Sequence, residues 1–179
     1  MLNNAINSPL VRVGIRYGLI AAVFCMGFVV SMYYMDKHPF LMNPFLDFRI
    51  PTFGVLIFFA LKEAREFYYH GILYFWQGMV GAFILTFVCA SACWLLLLLF
   101  AAWQPAFVSS FIDLAMTQAR SFPEEDIERI GRSVYEQGLL ELKNADGRFM
   151  AWRYFVQSFI ISFFISIIIS VVLRRQPTN

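Results

Sequence analysis

The chain has 179 residues, of which 60% are apolar and 18% aromatic, and its formal net charge is +2. A soluble domain of this length does not need so much apolar surface to fill one core, so the composition indicates an integral membrane protein. The small net charge, without a basic cluster away from the apolar runs, excludes nucleic acid as a partner. All three cysteines lie inside apolar runs, which argues against a disulfide framework.

The first apolar run predicts a transmembrane helix over about residues 13–35, which we interpret as a retained signal anchor. Arg12 and Arg16 stand one helical turn apart at its entrance, where their side chains reach lipid phosphates. Gly14 and Gly18 form a small-x-x-x-small pair on one face of this helix. The pair favours close helix packing, with a dimer seam as the alternative.

The second predicted span, about residues 49–67, is unusually short in apolar residues. Its uninterrupted apolar run, 50–61, covers only about 18 Å of the roughly 30 Å of hydrocarbon. One interpretation places the charges after it at headgroup level, with Lys62 paired to Glu66. The other places charges around a polar cavity between helices. The candidate interfacial or cavity-lining charges are Asp47, Arg49, Lys62, Glu63, Arg65 and Glu66.

The third predicted span covers about residues 77–103 and opens with Gly78 and Gly81, which suit close helix contact. Cys89 and Cys93 share a face of this helix at a spacing of four residues. No histidine or carboxylate accompanies them in the same run, and His38 stands alone in the turn after the first span. We therefore expect packing roles for these cysteines, and neither a metal site nor a cofactor.

Residues 104–148 form the only sizeable segment suited to water, and we predict an extracytoplasmic helical segment there. Apolar residues at helical spacing after Pro105 predict an amphipathic helix. Ser121 and Glu124 fit a capping box at the start of a second helix. The carboxylates of this segment are scattered among basic residues, and we predict an ion pair between Glu128 and Arg132. This distribution is typical of a solvated surface rather than of two catalytic carboxylates that face each other.

The last predicted span covers about residues 150–173, with Trp152 and Arg153 anchoring its outer end. Serines recur at every fourth residue along it. Because 3.6 residues make one turn, this row forms a narrow seam for another backbone; a polar strip lining a solute path is the alternative. The candidate helix-packing seam residues are Ser158, Ser162, Ser166, Ser170, Gly14, Gly18, Gly78 and Gly81.

The expected fold is an all-α integral membrane protein, a single domain over residues 1–179 with four transmembrane helices. Basic residues at the N-terminal entrance, after the second span and at 174–175 place both termini in the cytoplasm by the positive-inside rule. The segment at 104–148 then lies between the third and fourth helices on the opposite side.

Four stretches carry a family resemblance: VRVGIRYGLI at 11–20, LKEAREF at 61–67, ILYFWQGMVGA at 72–82, and a glutamate-rich helical segment before the final span that closes with RRQP. With them the chain resembles the bacterial membrane protein family catalogued as domain of unknown function 4199. The resemblance implies a helical protein of the inner membrane in Gram-negative bacteria, without an established activity or functional residues.

No nucleophile with a base, phosphate-binding loop or His/Cys cage is present in the sequence, so we do not expect an enzyme. The leading hypothesis is a non-catalytic inner-membrane protein that associates with itself or with an envelope partner. A small carrier or permeation subunit with a serine-lined path is the first alternative. An accessory subunit of a lipid-modifying or glycosyl-transferring membrane enzyme is the second. Membrane lipid is expected around the helices in each case.

Overall fold

The computed structural model describes residues 8–42 and 47–176, and 85% of it is helical, with no β-strand in those ranges. The all-α expectation is therefore confirmed. Seven α-helices follow one another along the chain: α1 Pro9–Tyr34, α2 Arg49–Glu63, α3 Phe75–Trp103, α4 Pro105–Arg120, α5 Glu124–Ile130, α6 Arg132–Lys143 and α7 Gly147–Leu173. A 3₁₀ turn, Pro39–Leu41, precedes α2, and a π turn, Ala64–Tyr68, extends its end.

Three of these helices, α1, α3 and α7, are long and apolar enough to cross a membrane. They contain 26, 29 and 27 residues, which gives each a length of about 40 Å. Their starts satisfy free backbone groups locally: Pro9 removes an N–H from the first turn of α1, and the Asp146 carboxylate accepts a 2.7 Å hydrogen bond from the Phe149 N–H of α7. The uniformly apolar interiors then favour helix in lipid, where every backbone group must be bonded internally.

The three long helices pack side by side, α1 parallel to α3 and α7 antiparallel to it. Gly14 lies against Ile84 near the start of α3, and the Tyr33 ring contacts Phe100 near its end. On the other side of α3, Gly147 at the start of α7 lies against Ala101. We call the end of the bundle with Pro9 and Leu173 the near end, and the end with Tyr34, Trp103 and Gly147 the far end.

The predicted second transmembrane helix at 49–67 is wrong: α2 is not among the helices long and apolar enough to span, so the described residues contain three such helices rather than four. Its 15 residues extend only about 22 Å. It begins inside the bundle, where Arg49 contacts Tyr154, and ends at the near end, where Glu63 bonds Arg16.

The near end is closed by the connection between α2 and α3. The π turn brings Arg65 Nη1 to 3.4 Å from the Leu173 carbonyl oxygen, where a cation complements the C-terminal dipole of α7. Gly71 has a φ of +85°, a conformation that glycine adopts at little steric cost. Leu73 then forms a two-residue antiparallel bridge with Arg175, so the chain before α3 and the chain after α7 are tied together at the near end.

The segment predicted at 104–148, which we call the far-end segment, forms the three helices α4 to α6, and their boundaries differ from the prediction. The Ser121 hydroxyl donates to the Gln118 carbonyl oxygen at the end of α4, so Ser121 closes one helix and does not cap the next. Gly131, with a φ of +95°, divides the predicted second helix into α5 and α6. The ion pairs in this segment join Arg132 to Glu124 and Arg129 to Asp126, in place of the predicted pair between Glu128 and Arg132.

Candidate functional site

The most unusual feature of the bundle is a buried ion pair at the start of α2. The Arg49 side chain is 7% exposed and that of Asp47 is 16% exposed. Arg49 Nε lies 2.9 Å from Asp47 Oδ1 and 3.0 Å from Oδ2, and Nη2 donates to the same carboxylate. Asp47 Oδ1 also accepts the Arg49 backbone N–H at 2.9 Å. The pair therefore satisfies the helix start as well as its own charges.

The remaining donors of Arg49 attach α2 to α7. Nη1 donates to the Tyr154 carbonyl oxygen and to Ser158 Oγ, both at 3.3 Å, and Nη2 donates to Gln157 Oε1 at 3.1 Å. The guanidinium carbon also lies 4.4 Å from the centroid of the Tyr154 ring, a cation–π contact. All five guanidinium N–H groups thus have partners in the protein, so Arg49 acts as a clamp between two helices.

The clamp lies within the depth of the membrane helices. Tyr154 and Ser158 are 7 and 11 residues from the start of α7, which places Arg49 about 10–16 Å inward from the far end of that helix. Charges at such depth are expensive and occur where they pair, line a cavity or mark a pathway. The Asp47–Arg49 cluster is therefore the first candidate for function.

A cavity of about 230 Å³ adjoins the ion pair. Arg153 and Gln157 stand one helical turn apart on α7 and both line it. The other lining residues are Val29, Pro39, Phe40, Met42, Asp47, Phe48, Arg49, Tyr154, Ile160 and Ile161. A pocket that combines apolar walls with a few convergent polar groups is typical of a binding site for a small molecule or a headgroup.

The other predicted charges do not join this cavity. Glu63 accepts hydrogen bonds from Arg16 and, at 3.0 Å, from the Tyr17 hydroxyl at the near end of α1. Arg65 pairs with Glu66, and Lys62 lies in the last turn of α2 without an ion pair to a described residue. The candidate charges therefore divide into Asp47 and Arg49 at the cavity and four residues at the near end.

The serine row of α7 faces the interior of the bundle. All four side chains are at most 4% exposed. Ser162 bonds Thr86 of α3, and Ser166 donates to the Ser162 carbonyl oxygen at 2.6 Å. Ser170 Oγ has no hydrogen-bond partner among the described residues and packs beside Gly78. The row thus lies at a helix–helix contact.

The candidate glycines lie at contacts within the chain. A Cβ at Gly18 would stand 2.7 Å from the Leu85 carbonyl oxygen of α3, and one at Gly81 would stand 2.9 Å from the Leu61 side chain of α2. Gly14 and Gly78 also lie against side chains of neighbouring helices. These positions permit close approach of helices in one bundle, because a larger residue would collide with the neighbour.

The cysteines and His38 have apolar surroundings. Cys25, Cys89 and Cys93 are buried between α1 and α3, and the Cys93 thiol lies 3.9 Å from the Ala22 carbonyl oxygen. In the parts of the chain that the structure describes, no group of three or more His, Cys, Asp or Glu side chains is arranged to hold a metal ion. The thiols thus pack in the core of the bundle.

His38 lies at the far end in an aromatic cluster on α4. Its ring stacks on Phe107 with centroids 4.9 Å apart, and Nε2 lies 3.2 Å from the Phe107 carbonyl oxygen. Nδ1 accepts the Phe40 N–H at 3.3 Å, which assigns the proton to Nε2. Burial lowers the pKa of His38 below its ordinary value, because the charged form loses its hydration.

Sequence reasoning missed the contribution of α7 to the site. It gave Arg153 only an anchoring role and assigned nothing to Tyr154 and Gln157. One sequence signal was present: Arg153 and Gln157 are separated by four residues at the start of an otherwise apolar helix, so they share a face. The partner of Gln157 on α2, Arg49, was not encoded locally.

Three membrane-length apolar helices in an all-helical chain define a helical membrane protein. The chain belongs to the family of proteins of unknown function DUF4199, whose model matches residues 16–175, and the resemblance seen in the sequence is thereby confirmed. The matched region includes the ion pair, the cavity and the far-end segment. No curated protein and no solved structure matches the chain.

Proposed function

We propose that this chain is a non-catalytic protein of the bacterial inner membrane that binds another envelope protein through its far-end segment. The observation that carries the proposal is a groove of about 280 Å³ between α4, α6 and the start of α7. Apolar and aromatic side chains, including Phe122, Tyr135, Leu139 and Phe149, line it. Phe122 is 43% exposed at this groove, as expected for an anchoring contact.

The composition of the far-end segment favours a different protein over a second copy. Between Pro105 and Arg148 the sequence has eight acidic and five basic residues, a net charge of −3. A two-fold interface between identical copies would bring these like charges together, whereas a partner with a basic surface would be attracted. The segment also holds little core of its own, since α6 contains no buried residue.

The membrane helices offer less support for association. The glycine and serine seams that suggested it are occupied by contacts within the chain, as described for Gly18 and Ser162. The same burial weakens the carrier alternative, because the serine side chains lie at contacts with α2 and α3. A surface outside the membrane helices is thus the better-supported site for a partner.

The charge distribution supports an orientation with the near end in the cytoplasm. Near-end charges are Arg12, Arg16, Lys62, Arg65, Arg174, Arg175, Glu63 and Glu66, which sum to +4. The rest of the chain sums to −2. The positive-inside rule places the basic end in the cytoplasm. Thiol labelling of His70→Cys from the cytoplasm, and of Glu136→Cys from the periplasm, tests this; the reverse labelling would contradict it.

The partner proposal is tested by photo-crosslinking in cells. A benzophenone amino acid at position 122 is expected to capture one defined membrane protein, and Leu139→Glu in the same chain is expected to abolish the product. The same label at the exposed Thr117 of α4 is the matched control. Products common to positions 122 and 117, or only a crosslink between copies of this chain, would contradict the proposal. Capture of a lipid-modifying or glycosyl-transferring enzyme would identify the chain as its accessory subunit.

A further inference from the structure

The cavity beside Arg49 opens at the depth of the lipid headgroups. From Tyr154 to Leu173, α7 has 20 residues after its last charge and covers about 30 Å, the thickness of the hydrocarbon core. Arg153 immediately precedes this stretch. Trp152, 60% exposed, stacks on Phe155 with centroids 5.5 Å apart and marks the same boundary. The mouth of the cavity at Arg153 therefore lies near the phosphates of the far leaflet.

The polar donors that remain in the cavity suit an anion. Arg153 is exposed and makes no ion pair or hydrogen bond through its side chain with a described residue. Gln157 Oε1 accepts the hydrogen bond from Arg49 Nη2, so the amide NH₂ of Gln157 is directed away from that bond. This NH₂ has no hydrogen-bond partner among the described residues. The Asp47 carboxylate is neutralised by Arg49. Within the described lining of the cavity there is thus one unpaired cation, with amide donors and without a free carboxylate.

Part of the cavity wall is apolar. Val29 of α1, Phe48 before α2, and Ile160 and Ile161 of α7 line it, and the two isoleucines follow Gln157 by about one turn of α7. Ile160 is also 56% exposed on the lipid-facing surface of α7. A ligand with a charged head and an apolar body satisfies both parts, whereas a fully polar anion leaves the apolar wall against water.

We propose that this cavity binds the phosphate group of an anionic phospholipid from the far leaflet. Arg153 holds the phosphate by charge-assisted hydrogen bonds, Gln157 donates to it from one turn deeper, and the acyl chain continues past Ile160. A headgroup without an amine fits better, because Asp47, the one carboxylate among the described lining residues, is already bonded to Arg49.

The test is thermal unfolding of the full chain in detergent micelles, with added phosphatidylglycerol or phosphatidylcholine of the same acyl chains. Phosphatidylglycerol is expected to raise Tm saturably and more than phosphatidylcholine. Arg153→Gln is expected to weaken its apparent affinity about tenfold or more, the loss of a charge-assisted hydrogen bond. Arg148→Gln removes another exposed cation from the same helix outside the cavity and serves as the control.

Equal stabilisation by both lipids, or equal losses from Arg153→Gln and Arg148→Gln, would overturn the proposal, because attraction would then come from surface charge alone. Glycerol 3-phosphate and inorganic phosphate distinguish the source of the ligand. If either compound stabilises the protein as much as the lipid does, and only when Arg153 is present, the cavity is a phosphate site but its ligand is a soluble phosphate rather than a lipid. Native mass spectrometry is expected to retain one phosphatidylglycerol per chain, and none with Arg153→Gln.

Discussion

Replacement of Arg49 by methionine tests the clamp between α2 and α7 directly. Methionine retains much of the length and apolar volume of the side chain but removes all five N–H donors. The change leaves the Asp47 carboxylate, 16% exposed, without its cation, and it leaves Gln157 Oε1 without its donor. The Tyr154 carbonyl oxygen loses the Arg49 donor but keeps the hydrogen bond from the Ser158 hydroxyl. The variant therefore combines an unpaired charge with an unsatisfied acceptor.

The expected cost is about 3–5 kcal/mol in the free energy of unfolding, the usual loss when one partner of a buried ion pair is removed. The lower part of that range applies here, because the partial exposure of Asp47 admits some water to the unpaired carboxylate. Asp47→Asn keeps the shape of its side chain and an acceptor for the Arg49 backbone N–H. It leaves the guanidinium unpaired and is expected to cost a similar amount.

The assay is equilibrium unfolding in mixed micelles, followed by the fluorescence of the four tryptophans. The two single variants and the double variant form a cycle, and a coupling of about 1–3 kcal/mol is expected because both singles break the same contact. Arg148→Met, the same change at an exposed position of α7, is expected to stay within about 0.5 kcal/mol of the parent. Additive single effects, or a loss below about 1 kcal/mol for Arg49→Met, would refute the clamp.

Three further predictions concern stability. His38, whose pKa is lowered by burial, binds protons more readily in the unfolded chain than in the folded one. Its contribution to the free energy of unfolding is therefore full above about pH 6.5 and declines as the pH falls through the lowered pKa. Unfolding measured against pH is expected to lose this part of its slope in His38→Gln, and an unchanged slope would contradict it. Gly18→Ala is expected to destabilise the protein by about 1–3 kcal/mol, because the new Cβ meets a backbone carbonyl oxygen. Gly27→Ala is the control and is not expected to destabilise the protein, because no atom lies within 4 Å of its Cβ. Gly131→Ala, at a φ of +95°, is expected to lower the free energy of unfolding by about 1–3 kcal/mol. Gly138→Ala, inside α6, is expected to raise it by up to about 1 kcal/mol. Equal effects of the two substitutions in thermal unfolding would contradict both expectations.

The helical class and the three long apolar helices were predictable because their signals are local. Runs of apolar residues of membrane length specify helix in lipid whatever surrounds them. The interval of four residues between the serines of α7 likewise predicted a seam, since the period of the helix places them on one face. The structure supplies the partner of that face, which is α3 through Thr86.

The remainder depended on contacts distant in sequence. The sequence showed that the second apolar run was too short, but it did not reveal that α2 begins beside Tyr154, 105 residues further along the chain. The capping box at Ser121 failed for a related reason. Its hydroxyl had a competing acceptor in the preceding turn of α4, the Gln118 carbonyl oxygen, and a short motif does not distinguish the two.

The short second helix and the polar cavity have one physical origin. A helix that begins inside a membrane bundle exposes backbone N–H groups where water is scarce, so a local acceptor is required. Asp47 is that acceptor, through the Arg49 N–H, but a carboxylate at this depth requires a cation. Arg49 supplies the charge, and its other donors then require oxygen atoms on α7, which Gln157 and Ser158 provide. Each polar group thus follows from the one before, and the series ends at Gln157, which lines the cavity with an amide NH₂ that has no partner among the described residues.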